Sequence, residues 1–176
     1  MKVMRWGILG AANFALNHMA PAIHAAKGAK LVALATSSPE KALGFQAFCP
    51  DLIVHSSYDA LLADPNIDAV YIPLPNHIHV EWSLKALAAG KHVLTEKPIA
   101  MQASEIDQII AARDASGLLA AEAYMIVHHP QWQKAKAWVE AGEIGQLRHV
   151  DAQFSFCLHD MENIRNRSDA GGGSLR

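Results

Sequence analysis

Six short apolar runs, each followed by a stretch with apolar residues at helical spacing, constrain this chain more than any other feature. Residues 3–9, 31–35, 53–55, 69–72, 92–95 and 118–123 read as strands. Between them, residues 14–26, 38–48, 59–63, 77–89 and 104–116 read as helices. Glycines punctuate the pattern: Gly28, Gly90 and Gly117 each close a helical stretch. Ser38-Pro39 opens one with an N-cap residue followed by proline at the first helical position. Pro21 lies inside the first helical stretch, so that helix kinks there or a second segment starts with proline in its first turn. Strands alternating with helices of this length require βαβ units and a parallel sheet covered on both faces, a doubly wound α/β fold.

After Tyr124 the texture changes. A proline-led helix over residues 130–141 precedes residues 146–158, whose aromatic alternation (Phe154, Phe156) predicts a long strand opening a different sheet. A polar stretch over 160–169 and the run Gly171-Gly172-Gly173 end the sequence. The expected organisation is a Rossmann-type domain over residues 1–123 and the start of a second, incomplete α/β domain over 124–176. A lone strand at 146–158 would expose an edge and favour self-association.

Composition excludes several classes of protein. With 51% hydrophobic and 18% charged residues, the chain can bury a core. Fifteen basic against seventeen acidic residues give a formal charge of −2 without a basic block, so the footprint of a nucleic-acid binder is missing. No apolar run reaches membrane-spanning length and the N-terminal residues read as strand without a secretory pattern, so a cytoplasmic protein is the expectation. Cys49 and Cys157 fit a reducing compartment and are expected to be buried and inert.

The first strand-to-helix turn reads Gly7-Ile8-Leu9-Gly10-Ala11-Ala12-Asn13-Phe14-Ala15. Set against G-x-G-x-x-G/A, its register is Gly10, Ala12, Ala15. Gly10 makes the tight turn, small residues let backbone approach a pyrophosphate, and the helix start offers free N–H groups to phosphate. The second strand should end on the residue that reads the adenosine ribose. Thr36-Ser37-Ser38 stands there, with no acid until Glu40 and with Lys41 one turn on. Hydroxyls and a lysine without a gripping carboxylate favour NADP over NAD.

The fourth and fifth strands end in Tyr71-Ile72-Pro73-Leu74-Pro75-Asn76-His77-Ile78-His79 and Thr95-Glu96-Lys97-Pro98-Ile99-Ala100. In an open α/β sheet the ligand crevice lies beyond the carboxyl ends of the strands, so both clusters point where the glycine turn points. Lys97 precedes a proline, which holds it extended and makes its peptide bond a candidate for cis. A lysine held there can orient a substrate hydroxyl and help move its proton.

These segments, WGILGAANFA, YIPLPNHIHVEWSLKALAAGKHVLTEKPIA, EAYMIVHHPQ and NIR followed by GGGSL, resemble the glucose–fructose oxidoreductase / inositol dehydrogenase / MocA (Gfo/Idh/MocA) family. Within it the chain is most similar to the branch of NADP-dependent D-xylose dehydrogenases and dimeric dihydrodiol dehydrogenases. The resemblance implies a Rossmann domain, a substrate domain with an open sheet, homo-oligomers, and hydride transfer between nicotinamide and a carbinol carbon of a sugar, cyclitol or diol. It implies that Lys97 is catalytic, that Gly10, Ala11, Ala12, Asn13 and Phe14 hold pyrophosphate, and that Ser37, Ser38 and Lys41 meet the adenosine ribose. Leu74, Pro75, Asn76 and His79 would line the cofactor groove, Glu96 and Pro98 would flank the nicotinamide, and Tyr124, His128 and Arg165 would face substrate.

The chain departs from the family pattern where Ser37 replaces a frequent arginine and where Val127 replaces the arginine of M-Y-R-x-H-P. The family continues GGG-x-L into D-x-G-x-Y/H, which carries a proton-transferring Tyr or His; this sequence stops at Arg176. A second expectation is therefore a truncated, catalytically incompetent dinucleotide-binding fragment. A metal site is not expected, because His77, His79, His128 and His129 lack acidic or cysteine partners at ligand spacing. Trp132 and Trp138 read as packing residues on the helix at 130–141.

Overall fold

The computed structural model describes residues 3–161 and 163–173. Ser174 to Arg176, the end of the last sequence motif, lie outside the described residues. Six parallel strands form one sheet: β1 (Met4–Leu9), β2 (Ala29–Ala35), β3 (Ile53–His55), β4 (Ala69–Ile72), β5 (His92–Glu96) and β6 (Ala120–Ala123). Their spatial order is β3-β2-β1-β4-β5-β6. The chain builds outward from β1 to β3, then crosses back to place β4 on the other side of β1. That reversal of winding leaves a crevice between the carboxyl ends of β1 and β4, the binding position in doubly wound sheets.

The central strands β1, β2 and β4 are buried on both faces toward their carboxyl ends, whereas the edge strands β3 and β6 are largely exposed. The two-residue period decides which helices a strand meets. Ile8, Leu34 and Tyr71 point to one face, where they pack with Ala20 and Ile23 of α1 (Ala20–Ala25) and with Ala42 and Phe45 of α2 (Pro39–Gln46). Leu9, Ala33, Val70 and Ile72 point to the other. There they meet Leu61 and Leu62 of α3 (Tyr58–Ala63), Ala86 and Leu87 of α4 (His79–Ala88) and Ile109 of α5 (Ala103–Ser116). Full burial of an Ile, Leu or Phe contributes about 1.5–3 kcal/mol, so these two layers fix the order of the strands.

Local chemistry sets the helix ends. Pro21 falls in the first turn of α1 and follows a wider π-type turn, Ala15–Met19, closed by the Ala20 N–H on the Ala15 carbonyl five residues back. A proline lacks the N–H that an uninterrupted α-helix would use, and the wider turn accommodates it. The backbone stays helical through Phe14, Met19 and Ala20, so the run passes Pro21 by way of the wider turn. Ser57 caps α3 by accepting from the Ala60 N–H at 3.1 Å. Gln102 and Glu105 form a capping box on α5, and Gly117 ends it at φ +67°. Ser38 occupies the N-cap position of α2, but its hydroxyl makes no cap bond.

The segment after β6 departs most from expectation. Helix α6 (Pro130–Glu140) forms as predicted, but residues 146–158 belong to no strand. A strand needs a partner's N–H and C=O groups, and no ladder among the described residues offers them to this stretch. Phe154 and Phe156 are consequently exposed, at 90% and 62%. The expected strand edge is thus replaced by exposed apolar side chains. Trp132 and Trp138 are also about half exposed, not packed, because nothing described covers that face of α6. Cys49 is buried as expected, whereas Cys157, in the irregular stretch, is exposed.

Candidate functional site

The glycine turn closes directly over β1. Gly10 donates its N–H to the Ala35 carbonyl at 2.9 Å and adopts φ +100°, a conformation that side chains disfavour. A Cβ at this position would lie 2.9 Å from Leu74 Cδ2 and 3.4 Å from the Tyr58 hydroxyl oxygen. The turn therefore lies in contact with the loop that follows β4, across the point where the winding reverses. Ala11 and Ala12 are half-buried beside it, and Asn13 begins the helix with its side chain exposed.

Two strand-end loops are joined by one buried imidazole. His79 has no exposed surface; Nδ1 lies 2.7 Å from the Pro98 carbonyl oxygen and Nε2 lies 2.7 Å from the Leu74 carbonyl oxygen. Carbonyls only accept, so a neutral imidazole donates to one of them and the imidazolium donates to both. His79, expected to line the groove, lies between the Leu74 and Pro98 carbonyls and joins the two loops.

The Glu96-Lys97-Pro98-Ile99 corner is secured from several sides. The Tyr71 hydroxyl donates to Glu96 Oε1 at 2.7 Å, and the Lys97 N–H reaches Glu96 Oε2 at 3.2 Å. Glu122 of β6 accepts from the Ile99 N–H at 2.9 Å, and Glu105 accepts from the N–H groups of Met101 and Gln102, both at 2.9 Å. The Lys97–Pro98 peptide is cis. With its backbone held this way, Lys97 presents an exposed ammonium at the carboxyl edge of the sheet. Burial, then the hydrogen bond and charge of Glu96, push the Tyr71 phenol far above its ordinary range, so it remains a donor. Neither Tyr71 nor Glu122 was singled out from sequence. A polar-tipped Tyr71 inside an otherwise apolar strand was the available clue, since buried phenols find a partner.

The ribose-reading turn after β2 carries its own network. Thr36 Oγ1 accepts from the Ser38 N–H at 3.1 Å, and the Ser38 hydroxyl donates to Glu40 Oε2 at 2.8 Å. Hydrogen bonds from backbone and then from Ser38 hold the Glu40 carboxyl below its usual range. Ser37 and Lys41 stand exposed beside it. A carboxylate therefore binds one of the hydroxyls expected at the ribose.

The glycine run folds back onto the same end of the sheet. Asn76 Nδ2 donates to the Gly171 carbonyl at 2.9 Å, and Gly171 packs against Met101. Asn76, expected in the groove, thus spends its amide on the 163–173 segment. Tyr124, His128 and Arg165, the expected substrate residues, are solvent-exposed, and the Arg165 guanidinium donates to Asn163 Oδ1 at 3.5 Å. His129 caps α6 by accepting from the Gln131 N–H at 3.2 Å. Among the described residues no three His, Cys, Asp or Glu side chains converge as metal ligands, and no helix is long and apolar enough to cross a membrane.

Two concavities lie at the opposite, amino end of the strands, where Arg5, Asp64, Asp68 and Lys91 are engaged with the protein itself. Arg5 forms a two-point contact with Asp68 at 2.8 and 2.9 Å, and Lys91 donates to the Asp64 and Ile67 carbonyls at 2.7 and 2.8 Å. They read as fastenings of the sheet.

A doubly wound parallel sheet with a glycine turn at its switch point defines a dinucleotide-binding Rossmann fold. The family model described as an oxidoreductase family with an NAD-binding Rossmann fold matches residues 4–124, and the chain belongs to that family, Gfo/Idh/MocA. It is 41% identical to an uncharacterized oxidoreductase of Rhizobium meliloti over 99% of this chain and 52% of that protein. It is 38% identical to the dTDP-3,4-didehydro-2,6-dideoxy-alpha-D-glucose 3-reductase of Streptomyces violaceoruber, over 99% of this chain and 51% of that one. A D-xylose 1-dehydrogenase (NADP(+)) of Haloferax volcanii is 37% identical over 98% of this chain and 53% of its own. The chain spans about half the length of the curated relatives it matches. Among solved structures, a 3-ketoreductase from Actinomadura kijaniata in complex with NADP and TDP-benzene superposes with a TM-score of 0.75 at 34% identity, covering 80% of this chain and 43% of that one.

Proposed function

We propose that the crevice above β1, β4 and β5 binds NADP in preference to NAD. In this reading residues 1–123 are the dinucleotide-binding domain and 124–176 open a substrate domain of an oxidoreductase acting on a sugar-type carbinol or carbonyl carbon. The observation that carries the reading is the Gly10 turn. It is open to a phosphate because no Cβ intrudes, and it touches Leu74, whose loop is fastened by His79 to the Lys97–Pro98 corner. When bound, the nicotinamide exchanges a hydride with the substrate carbon.

The chain's own residues supply the remaining tasks. The backbone from Gly10 to Phe14 and the helix start hold the pyrophosphate. Ser37, Ser38 and Lys41 meet the adenosine ribose and its phosphate, while Leu74, Pro75 and Asn76 wall the groove. Glu96 and Pro98 fix the corner at the nicotinamide end. Lys97 directs its ammonium at a substrate oxygen, orients it, and eases proton movement at that oxygen. Tyr124, His128 and Arg165 contribute to substrate contact, and the working protein is a homo-oligomer.

Relatives that reduce dTDP-linked keto sugars and one that oxidises D-xylose support a sugar-type substrate. The NADP-containing 3-ketoreductase structure and the NADP(+) dehydrogenase support the cofactor preference. Titration with NADPH and NADH tests the cofactor, and turnover of a dTDP-linked 3-keto sugar against D-xylose tests the substrate class. A binding preference for NADH, or turnover of neither sugar by the full-length protein, would count against the reading.

A further inference from the structure

Tyr71 has no exposed surface and sits among Ile8, Leu34 and Phe45, yet its hydroxyl ends against a carboxylate. In the parallel register Tyr71 stands opposite Leu94, and Glu96 lies two residues further along β5, on the same face of the sheet. The phenol therefore runs along the sheet toward its carboxyl end and meets Glu96 Oε1 at 2.7 Å. The other carboxylate oxygen, Oε2, takes the Lys97 N–H at 3.2 Å. One carboxylate thus has one oxygen fixed by the core and the other on the backbone of the residue that carries the exposed ammonium.

A half-buried carboxylate at a strand end would otherwise turn toward water, leaving the Lys97 N–H without it. A hydrogen bond from a neutral donor to a carboxylate in partly buried surroundings is stronger than a neutral pair and fixes direction as well as distance. The displaced phenol pKa supports this arrangement, because a hydroxyl that stays protonated stays a donor. The other fastenings of this corner act elsewhere: His79 on the Pro98 carbonyl and Glu122 on the Ile99 N–H. Among the described residues, the Tyr71–Glu96 pair is the side-chain fastening that acts at Lys97 itself.

We propose that Tyr71 is a positioning residue for the Lys97 corner, acting through Glu96 to set the nicotinamide end of the crevice while leaving its adenosine end untouched. This rests on the dinucleotide reading above.

The test uses the full chain with two probes, NADPH and 2′,5′-ADP, the latter carrying only the adenosine end. Tyr71→Phe and Glu96→Ala are each expected to weaken NADPH binding about tenfold, the size of one hydrogen bond to a charged group, and to change 2′,5′-ADP binding less than about twofold. The double variant should be no weaker than either single one, because the two residues act as one unit. Glu96→Gln keeps a single oxygen, so an amide NH2 donor faces either the phenol or the Lys97 N–H. This variant should bind NADPH about as weakly as Glu96→Ala. It also keeps the proposal testable should Tyr71→Phe fail to fold.

Equal loss of both probes would reduce Tyr71 to a core residue and overturn the proposal. So would unchanged NADPH binding, multiplied losses in the double variant, or a Glu96→Gln variant that binds NADPH as tightly as the native chain. If the native chain binds neither probe, the dinucleotide reading itself fails and takes this inference with it. Native binding with unaffected variants sinks the inference alone.

Discussion

His79 Nδ1 lies 2.7 Å from the carbonyl oxygen of Pro98, so a residue at the start of α4 fastens the loop after β5. The same ring meets the Leu74 carbonyl at 2.7 Å, which closes a link from β4 through α4 to β5. Replacing His79 with Leu keeps an apolar body of similar size but leaves one carbonyl, or both where the ring is the imidazolium, without its donor. Each unsatisfied buried acceptor costs about 1–3 kcal/mol, so His79→Leu should lose at least about 1–3 kcal/mol of stability. Urea unfolding measures it. A loss under about 0.5 kcal/mol would show that the imidazole does not hold these loops together.

Gly10 tests the turn. Any side chain there must adopt φ +100° and place Cβ 2.9 Å from Leu74 Cδ2. Gly10→Val should cost about 2 kcal/mol or more in stability and weaken NADPH binding by more than about tenfold, because the backbone retreats from the phosphate position. Calorimetric titration after confirming a folded circular-dichroism spectrum separates the two effects.

The sequence carries three tyrosines, and the structure holds two of them back from ionising. Burial raises the Tyr58 phenol; burial first and Glu96 second raise Tyr71. In each case the folded pKa lies above the unfolded one. Their contribution is thus intact below the unfolded value of about 10 and is lost as pH climbs beyond it, at up to about 1.4 kcal/mol per pH unit for a phenol like Tyr71. Stability curves between neutral and strongly alkaline pH should fall in that direction only above about pH 10. Tyr71→Phe should flatten the fall, and a native-like slope in that variant would contradict the assignment.

Gly172 is the tightest position in the last turn. A Cβ there would lie 2.6–2.7 Å from the carbonyl oxygens of Ile164, Arg165 and Arg167. Backbone oxygens cannot step aside as a flexible side chain can, so Gly172→Ala should open the 163–173 turn and release the Asn76 amide from Gly171. Hydrogen exchange should then accelerate at the Gly173 N–H, which bonds the Arg165 carbonyl at 3.0 Å, by about tenfold or more. Unchanged exchange would show that the turn tolerates the methyl group.

The strands were legible because a two-sided parallel sheet writes itself as short apolar runs, and the helices because Gly28, Gly90, Gly117 and Ser38-Pro39 bracket them. The glycine turn and the Glu96-Lys97-Pro98 corner were legible as motifs. The bonds that assemble them were not. Tyr71 meets Glu96 across 25 positions, Ile99 meets Glu122 across 23, and Asn76 meets Gly171 across 95, none of which periodicity can report. Residues 146–158 misled in the opposite direction. Alternation there is genuine, but a strand is a property of a pair, and no partner lies among the described residues.

The central claim is that the crevice over β1, β4 and β5 takes a phosphorylated nicotinamide dinucleotide. Fluorescence titration of the purified chain with NADPH, with NADH as the competitor, tests it most directly. The account predicts saturable one-to-one binding that is tighter for NADPH than for NADH and is lost in Gly10→Val. Absence of saturable binding for both dinucleotides, or binding that Gly10→Val leaves intact, would contradict it.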